Sequence, residues 1–177
     1  MLKQAVAVPT TVAVLALTAS ATGAPPAELT APAATAAPTA SATASSRAAN
    51  ERAIRTCVNR EREKRGLAPL RVNPSLARAA RDHAENMRRQ GFFDHTDPEG
   101  RGPSERVERL TGVFSGVGEN IGGGYATGAA ACRAWMRSSG HRANILRSSY
   151  ARIGTGYARG GRLRHYWVQV FATAPRG

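Results

Sequence analysis

Apolar residues recur at helical spacing through two stretches of the chain. Between Asn50 and Arg65, Ile54, Cys57 and Val58 fall on one face of an otherwise charged segment, and Gly66-Leu67-Ala68-Pro69 carries the glycine-then-proline signal of a helix stop. Asn73 before Pro74 reads as an N-cap with proline in the first turn. Leu76, Ala79, Ala80, His83, Ala84 and Met87 then recur at three and four until Gly91. His83 falls on that apolar face, the usual setting of a histidine hydrogen-bonded inside a core. Phe92 to Gly100 reads as a loop with two anchoring aromatics, Pro103 to Leu110 as a short helix, and Thr111 to Gly124 as a stretch holding six glycines. Thr127 caps a third helix carrying Ala131, Cys132, Trp135 and Met136, closed by Gly140. The β-prone segments Ile153–Ala158 and Leu163–Thr173 flank Gly160-Gly161 in a hairpin pattern. Helices first and strands last, with no strand-helix-strand alternation, give an α+β layered domain rather than a doubly wound parallel sheet.

The front of the chain follows different rules. Lys3 precedes a mostly apolar run from Ala5 to Leu17, and Ala19-Ser20-Ala21 fits the small-residue cleavage pattern, so residues 1–24 read as an export signal. Residues 25–48 are rich in Ala, Pro, Thr and Ser and lack both bulky side chains and periodicity, the composition of a disordered linker. The domain is then expected over residues 49–177, secreted or associated with a cell wall, and monomeric. No apolar run after residue 25 reaches the roughly 20 residues of a membrane span.

Charge narrows the partners. The 177 residues include 25 Lys or Arg against 12 Asp or Glu, a formal charge of +13. Only Lys3, Glu28 and Arg47 precede Ala49, so +12 belongs to the expected domain. Outside a cell such a field favours anionic partners: a phosphate-rich wall polymer, acidic lipid headgroups or an acidic protein surface. Zinc-finger spacing, an aromatic-interleaved RNA-binding strand and a base-reading basic helix are all missing, so no specific nucleic-acid partner is expected.

Common catalytic signatures are missing too: Gly-x-Ser-x-Gly, His-Glu-x-x-His, the phosphate-binding loop and the dinucleotide glycine pattern. Three polar groups in unusual contexts remain. His95 follows two phenylalanines, Glu119-Asn120 follows Gly118, and His141-Arg142-x-Asn144 follows Gly140. Each alone has an ordinary explanation as a capping or surface residue.

Taken in order, Val58-Asn59-Arg60-Glu61-Arg62, Phe92-Phe93-Asp94-His95-Thr96, Gly118-Glu119-Asn120-Ile121, Ala134-Trp135-Met136, Ser139-Gly140-His141-Arg142-Ala143-Asn144-Ile145-Leu146, Ile153-Gly154-Thr155-Gly156 and Tyr166-Trp167-Val168-Gln169 resemble the CAP or SCP superfamily of cysteine-rich secretory, antigen 5 and pathogenesis-related proteins, in its small bacterial branch. The resemblance implies a three-layer α-β-α sandwich with a mainly antiparallel sheet, and a cleft where two histidines and two glutamates gather. By position His95, Glu119 and His141 are three of those four, with Asn120, Arg142, Asn144 and Gln169 tying the cleft walls together. The family's second glutamate lies shortly after the tryptophan of the third helix. Here Trp135 is followed by Met136, Arg137, Ser138 and Ser139, so no carboxylate is available there.

Two imidazoles and one carboxylate, His95, His141 and Glu119, still make a set for zinc or another divalent metal with an open position for water. The family's assigned activities include capture of sterols, fatty acids and partner proteins, and proteolysis has been proposed. The expectation is a non-catalytic extracellular binding module needing no cofactor. The alternative is a metal-assisted, peptidase-like hydrolase with Glu119 as base. Cys57 and Cys132 lie on predicted helices, on or beside apolar faces. In an exported protein they form a disulfide, or else remain two buried thiols.

Overall fold

The computed structural model describes residues 40–111 and 114–174. Helix α1 runs Ala40–Glu63, with Ile54 and Val58 fully buried at helical spacing. It starts ahead of Asn50, so residues 40–48, expected as linker, are helical instead. The reason is propagation: a helix anchored by packed residues extends through an Ala/Ser/Arg-rich stretch without a new nucleus, needing no contacts of its own. The expected export signal and the rest of the linker lie outside the described residues.

Asn73 caps helix α2, Pro74–Gln90, by accepting from the Leu76 N–H at 3.0 Å, and α3 spans Pro103–Thr111. The expected third helix is in fact two. Ser138 ends α4, Gly128–Arg137, and heads α5, Ser139–Leu146. Gly140 therefore lies inside a helix rather than closing one, because the chain turns two residues earlier where Ser138 adopts an extended conformation.

The sheet contains β1 (Arg71–Val72), β2 (Val117–Gly123), β3 (Arg152–Arg159) and β4 (His165–Ala172), in the order β1-β3-β4-β2. Only β1 with β3 is parallel; β3 with β4 and β4 with β2 are antiparallel. Strand β4 is buried on both faces: Trp167 and Phe171 join a core with α1, α4 and α5, while Tyr166, Val168 and Val170 join a second core with α2 and α3. The α+β class and the three-layer α-β-α sandwich with a mainly antiparallel sheet follow from that double burial.

Two local devices hold the layers at their spacing. A Cβ at Gly154 or Gly156 would overlap the α2 backbone at Leu76–Ala77 or Ala80–Arg81, so the helix lies directly on the strand. Gly156→Ala is expected to cost about 3 kcal/mol, the upper end for overpacking, since backbone rather than rotamers must yield; urea unfolding measures it. On the opposite side Arg62, 1% exposed, donates to the carbonyls of Ala68 (2.8 Å), Ile145 (2.9 Å), Arg147 (2.9 Å) and Tyr150 (3.3 Å). It thereby ties α1 to the chain leaving α5.

Candidate functional site

His95 sits in the loop after α2. That loop is ordered by the buried Asp97, which accepts from the Arg101 backbone N–H and from Arg101 Nε, both at 2.8 Å. Glu119 lies on β2, its side chain only 1% exposed. His95 Nδ1 meets Glu119 Oε1 at 2.8 Å, and Arg106 Nη2 of α3 donates to Glu119 Oε2 at 2.7 Å. Arg106 Nη1 also donates to the His95 carbonyl at 2.8 Å, so one guanidinium fixes both the carboxylate and the loop that presents the imidazole.

This His95–Glu119–Arg106 triad sets the charge of the site. The hydrogen bond to Glu119 holds His95 above the ordinary imidazole value despite its partial burial. With Nδ1 turned to Glu119, the other ring nitrogen of an imidazole 48% exposed donates whenever the ring is protonated. His141, in the first turn of α5, packs beside Trp135 with ring centroids 6.5 Å apart. Burial, then the charge of His95, hold His141 below the ordinary value, so the two rings are pushed in opposite directions.

The support expected from Asn120, Asn144 and Gln169 assembles as a network. Asn120 Nδ2 donates to the His141 carbonyl (3.1 Å) and to Gln169 Oε1 (2.9 Å), and Asn144 Nδ2 donates to the Glu119 carbonyl (3.1 Å) and Asn120 Oδ1 (2.9 Å). Helix α5 is pinned to β2 and β4 by these amides, beside the packing of Ile145 in the core. Arg142 does not join them: it is exposed and donates to the Met136 carbonyl at 3.3 Å, because its place in α5 turns it toward the end of α4.

In this structure Glu119 is not disposed as a direct metal ligand. Both Glu119 oxygens are engaged, one of them by a cation, and among the described residues no group of three His, Cys, Asp or Glu side chains is disposed to hold a metal ion. A carboxylate neutralised by a guanidinium is a poor ligand for a further cation and a poor general base.

Two residues touching the site lie outside the set expected from sequence. Arg106 precedes Val107 and stands four before Leu110, and this spacing puts an arginine on the inward face of a short helix; that was the available signal. His83 is fully buried, as a core histidine should be, with Nε2 3.0 Å from the Asp94 carbonyl. It nevertheless lies 3.9 Å from Glu119 Oε1, where burial holds its pKa down and keeps it neutral.

From His141 a groove of about 520 Å³ runs along the end of β2, between Trp135 on one side and Phe93 and Leu163 on the other, with Tyr125 and Arg162 at its rim. Phe93 and Tyr125 are 39% and 36% exposed, two of the three most exposed large apolar side chains among the described residues. On α1 and α4, Cys57 and Cys132 are joined in a disulfide, their Cα atoms 6.4 Å apart.

Comparison with known proteins agrees with this architecture. The chain is 35% identical over 121 residues to the uncharacterized protein YkwD of Bacillus subtilis, covering 68% of this chain and 46% of YkwD. It is 34% identical over 122 residues to the uncharacterized membrane protein YlbC of the same organism, covering 69% of this chain and 34% of YlbC. It thus spans less than half the length of either. An extracellular protein containing a SCP domain from Bacillus anthracis superposes with a TM-score of 0.70 at 25% identity, over 78% of this chain and 45% of that one. An outer surface protein of Borrelia burgdorferi shares the fold, with a TM-score of 0.65 at 18% identity, over 70% of this chain and 92% of that one. Residues 55–171 match the cysteine-rich secretory protein family, CAP. With that match over most of the chain, and with the sandwich already described, the protein belongs to the CAP family.

Proposed function

We infer that this chain is an exported CAP module that binds an anionic ligand in the His95 cleft without turning it over. One observation carries the reading: Glu119 is held on both oxygens by His95 and Arg106. A carboxylate so engaged keeps an imidazolium charged and is unavailable to activate water, which favours capture over hydrolysis. The extracellular description of the Bacillus anthracis SCP-domain protein, the disulfide and the +13 charge of the chain support action outside the cell on an anionic partner such as a wall polymer. No helix among the described residues is long and apolar enough to cross a membrane.

Binding that uses the charged form of His95 is complete below its folded pKa and fades as pH rises through it. Inorganic phosphate is therefore expected to shift the His95 imidazole resonances at pH 6 and to lose affinity about tenfold per unit once pH exceeds that pKa. His95→Gln is expected to abolish the response. Phosphate affinity that ignores pH, or that survives His95→Gln, would remove the reading.

A further inference from the structure

The register of β2 leaves part of its outer edge free at the groove. In the β2–β4 ladder the Gly124 N–H donates to the His165 carbonyl and the Thr173 N–H to the Gly116 carbonyl, so even-numbered residues of β2 bond to β4 and odd-numbered ones face away. Two of the outward carbonyls are already taken by side chains. Asn144 Nδ2 donates to that of Glu119, and Trp135 Nε1 to that of Ile121 at 2.9 Å. The next outward pair belongs to Gly123, a lining residue of the groove. Its N–H and C=O have no hydrogen-bond partner among the described residues. The edge is thus blunted at the Glu119 and Ile121 carbonyls and left open at Gly123, inside a concavity.

The walls match the two sides of an added strand. A Cβ at Gly123 would approach Leu163 and Phe93, and a Cβ at Gly122 would approach Trp135. Alternate side chains of a chain lying against Gly123 therefore meet Phe93 and Leu163 on one side and Trp135 and His141 on the other. The cationic side chain lining the groove is Arg162; His95 is not a lining residue and lies past His141, close enough for its charge to act on that ring. We propose that the groove takes an extended peptide segment bearing an acidic side chain, paired through its main chain to Gly123. This deepens the anion-capture reading and rests on it: the acidic side chain is the anion, and the strand edge makes the ligand a polypeptide rather than a polyphosphate.

The test uses a capped Thr-Val-Glu-Val-Thr peptide and the intact protein, read by NMR at pH 6. The expected result is a downfield shift of the Gly123 amide proton together with movement of the His95 imidazole. The same peptide N-methylated at its three internal residues keeps charge and side chains but loses every internal donor, and is expected to bind about tenfold or more weakly, the equivalent of at least one lost hydrogen bond. Tyr125→Ala, at an exposed position, is expected to weaken the parent peptide while leaving the fold intact. If the N-methylated peptide binds as well as the parent, or the Gly123 amide does not move at saturation, strand pairing is overturned. If inorganic phosphate moves His95 while the peptide leaves Gly123 unmoved, anion capture stands and the peptide assignment falls. If neither moves His95, both fall.

Discussion

Replacing Arg106 with methionine is expected to cost about 3–5 kcal/mol in urea unfolding at pH 7, the range for removing one partner of a buried ion pair. The size follows from what is left behind. The Glu119 side chain is 1% exposed, and Arg106 Nη2 on Oε2 at 2.7 Å is its guanidinium partner, charged at every pH of the experiment. The His95 carbonyl and the Arg101 carbonyl, at 2.8 and 2.6 Å from Nη1, lose their donor in the same substitution. Methionine fills the volume but supplies no proton, so the loss is electrostatic rather than a cavity effect. Adding Glu119→Gln removes the stranded charge and is expected to recover a large part of the stability, the mark of two groups acting as a pair. A single-mutant cost below about 1 kcal/mol, typical of an exposed pair, would mean that the carboxylate is not held as described.

Opening the Cys57–Cys132 disulfide is expected to cost a similar amount, about 4 kcal/mol, by freeing the 75-residue separation it spans in the unfolded chain. With an m-value of about 2 kcal/mol/M the urea midpoint should fall by about 2 M. Both cysteines are buried in the core shared by α1, α4 and α5, so the double Ala variant is a cleaner comparison than reduction, which leaves two thiols crowded in the same space. The effect reaches the cleft because α4 leads through Ser138 into α5, which carries His141 and Asn144. Loss of the bridge is therefore expected to broaden the His141 resonances before the domain unfolds, while His95, held from α2, α3 and β2, stays sharp. A disulfide-free variant with an unchanged midpoint would contradict this.

Helix α2 was legible in the sequence from end to end because Asn73, Pro74 and a strict three-and-four apolar repeat all point the same way, and the β3–β4 hairpin because β-prone runs flank paired glycines. Strand β2 was not. Its glycines carry no side-chain pattern, since the covering groups, Trp135 over Gly122 and Leu163 over Gly123, come from elsewhere in the chain. The division of α4 from α5 was hidden because Ser138 turns the chain without a glycine or proline, and Gly140 drew the boundary two residues late. In the cleft, His95, Glu119 and His141 were named on resemblance, whereas Arg106 was passed over. Identity alone does not separate a solvated arginine from one that neutralises a buried carboxylate, and that difference is what places Glu119 in an ion-paired triad.

The histidines also oppose one another in stability. His95, held above its unfolded value near 6.5, stabilises the fold fully below that value and loses this contribution as pH rises through its folded pKa; His83 and His141, held below it, cost stability as pH falls under 6.5. The gap in melting temperature between wild type and His95→Gln should therefore be largest in mild acid and close in mild alkali.

The most direct test is an NMR titration of the four imidazoles in the folded, disulfide-intact protein. The His95–Glu119–Arg106 triad requires His95 to titrate above 6.5 and His141 below it, with His95 moving down toward the ordinary value in Glu119→Gln. A His95 that titrates at or below 6.5 in the wild type, or that is indifferent to Glu119→Gln, would contradict an imidazolium held ready for an anion.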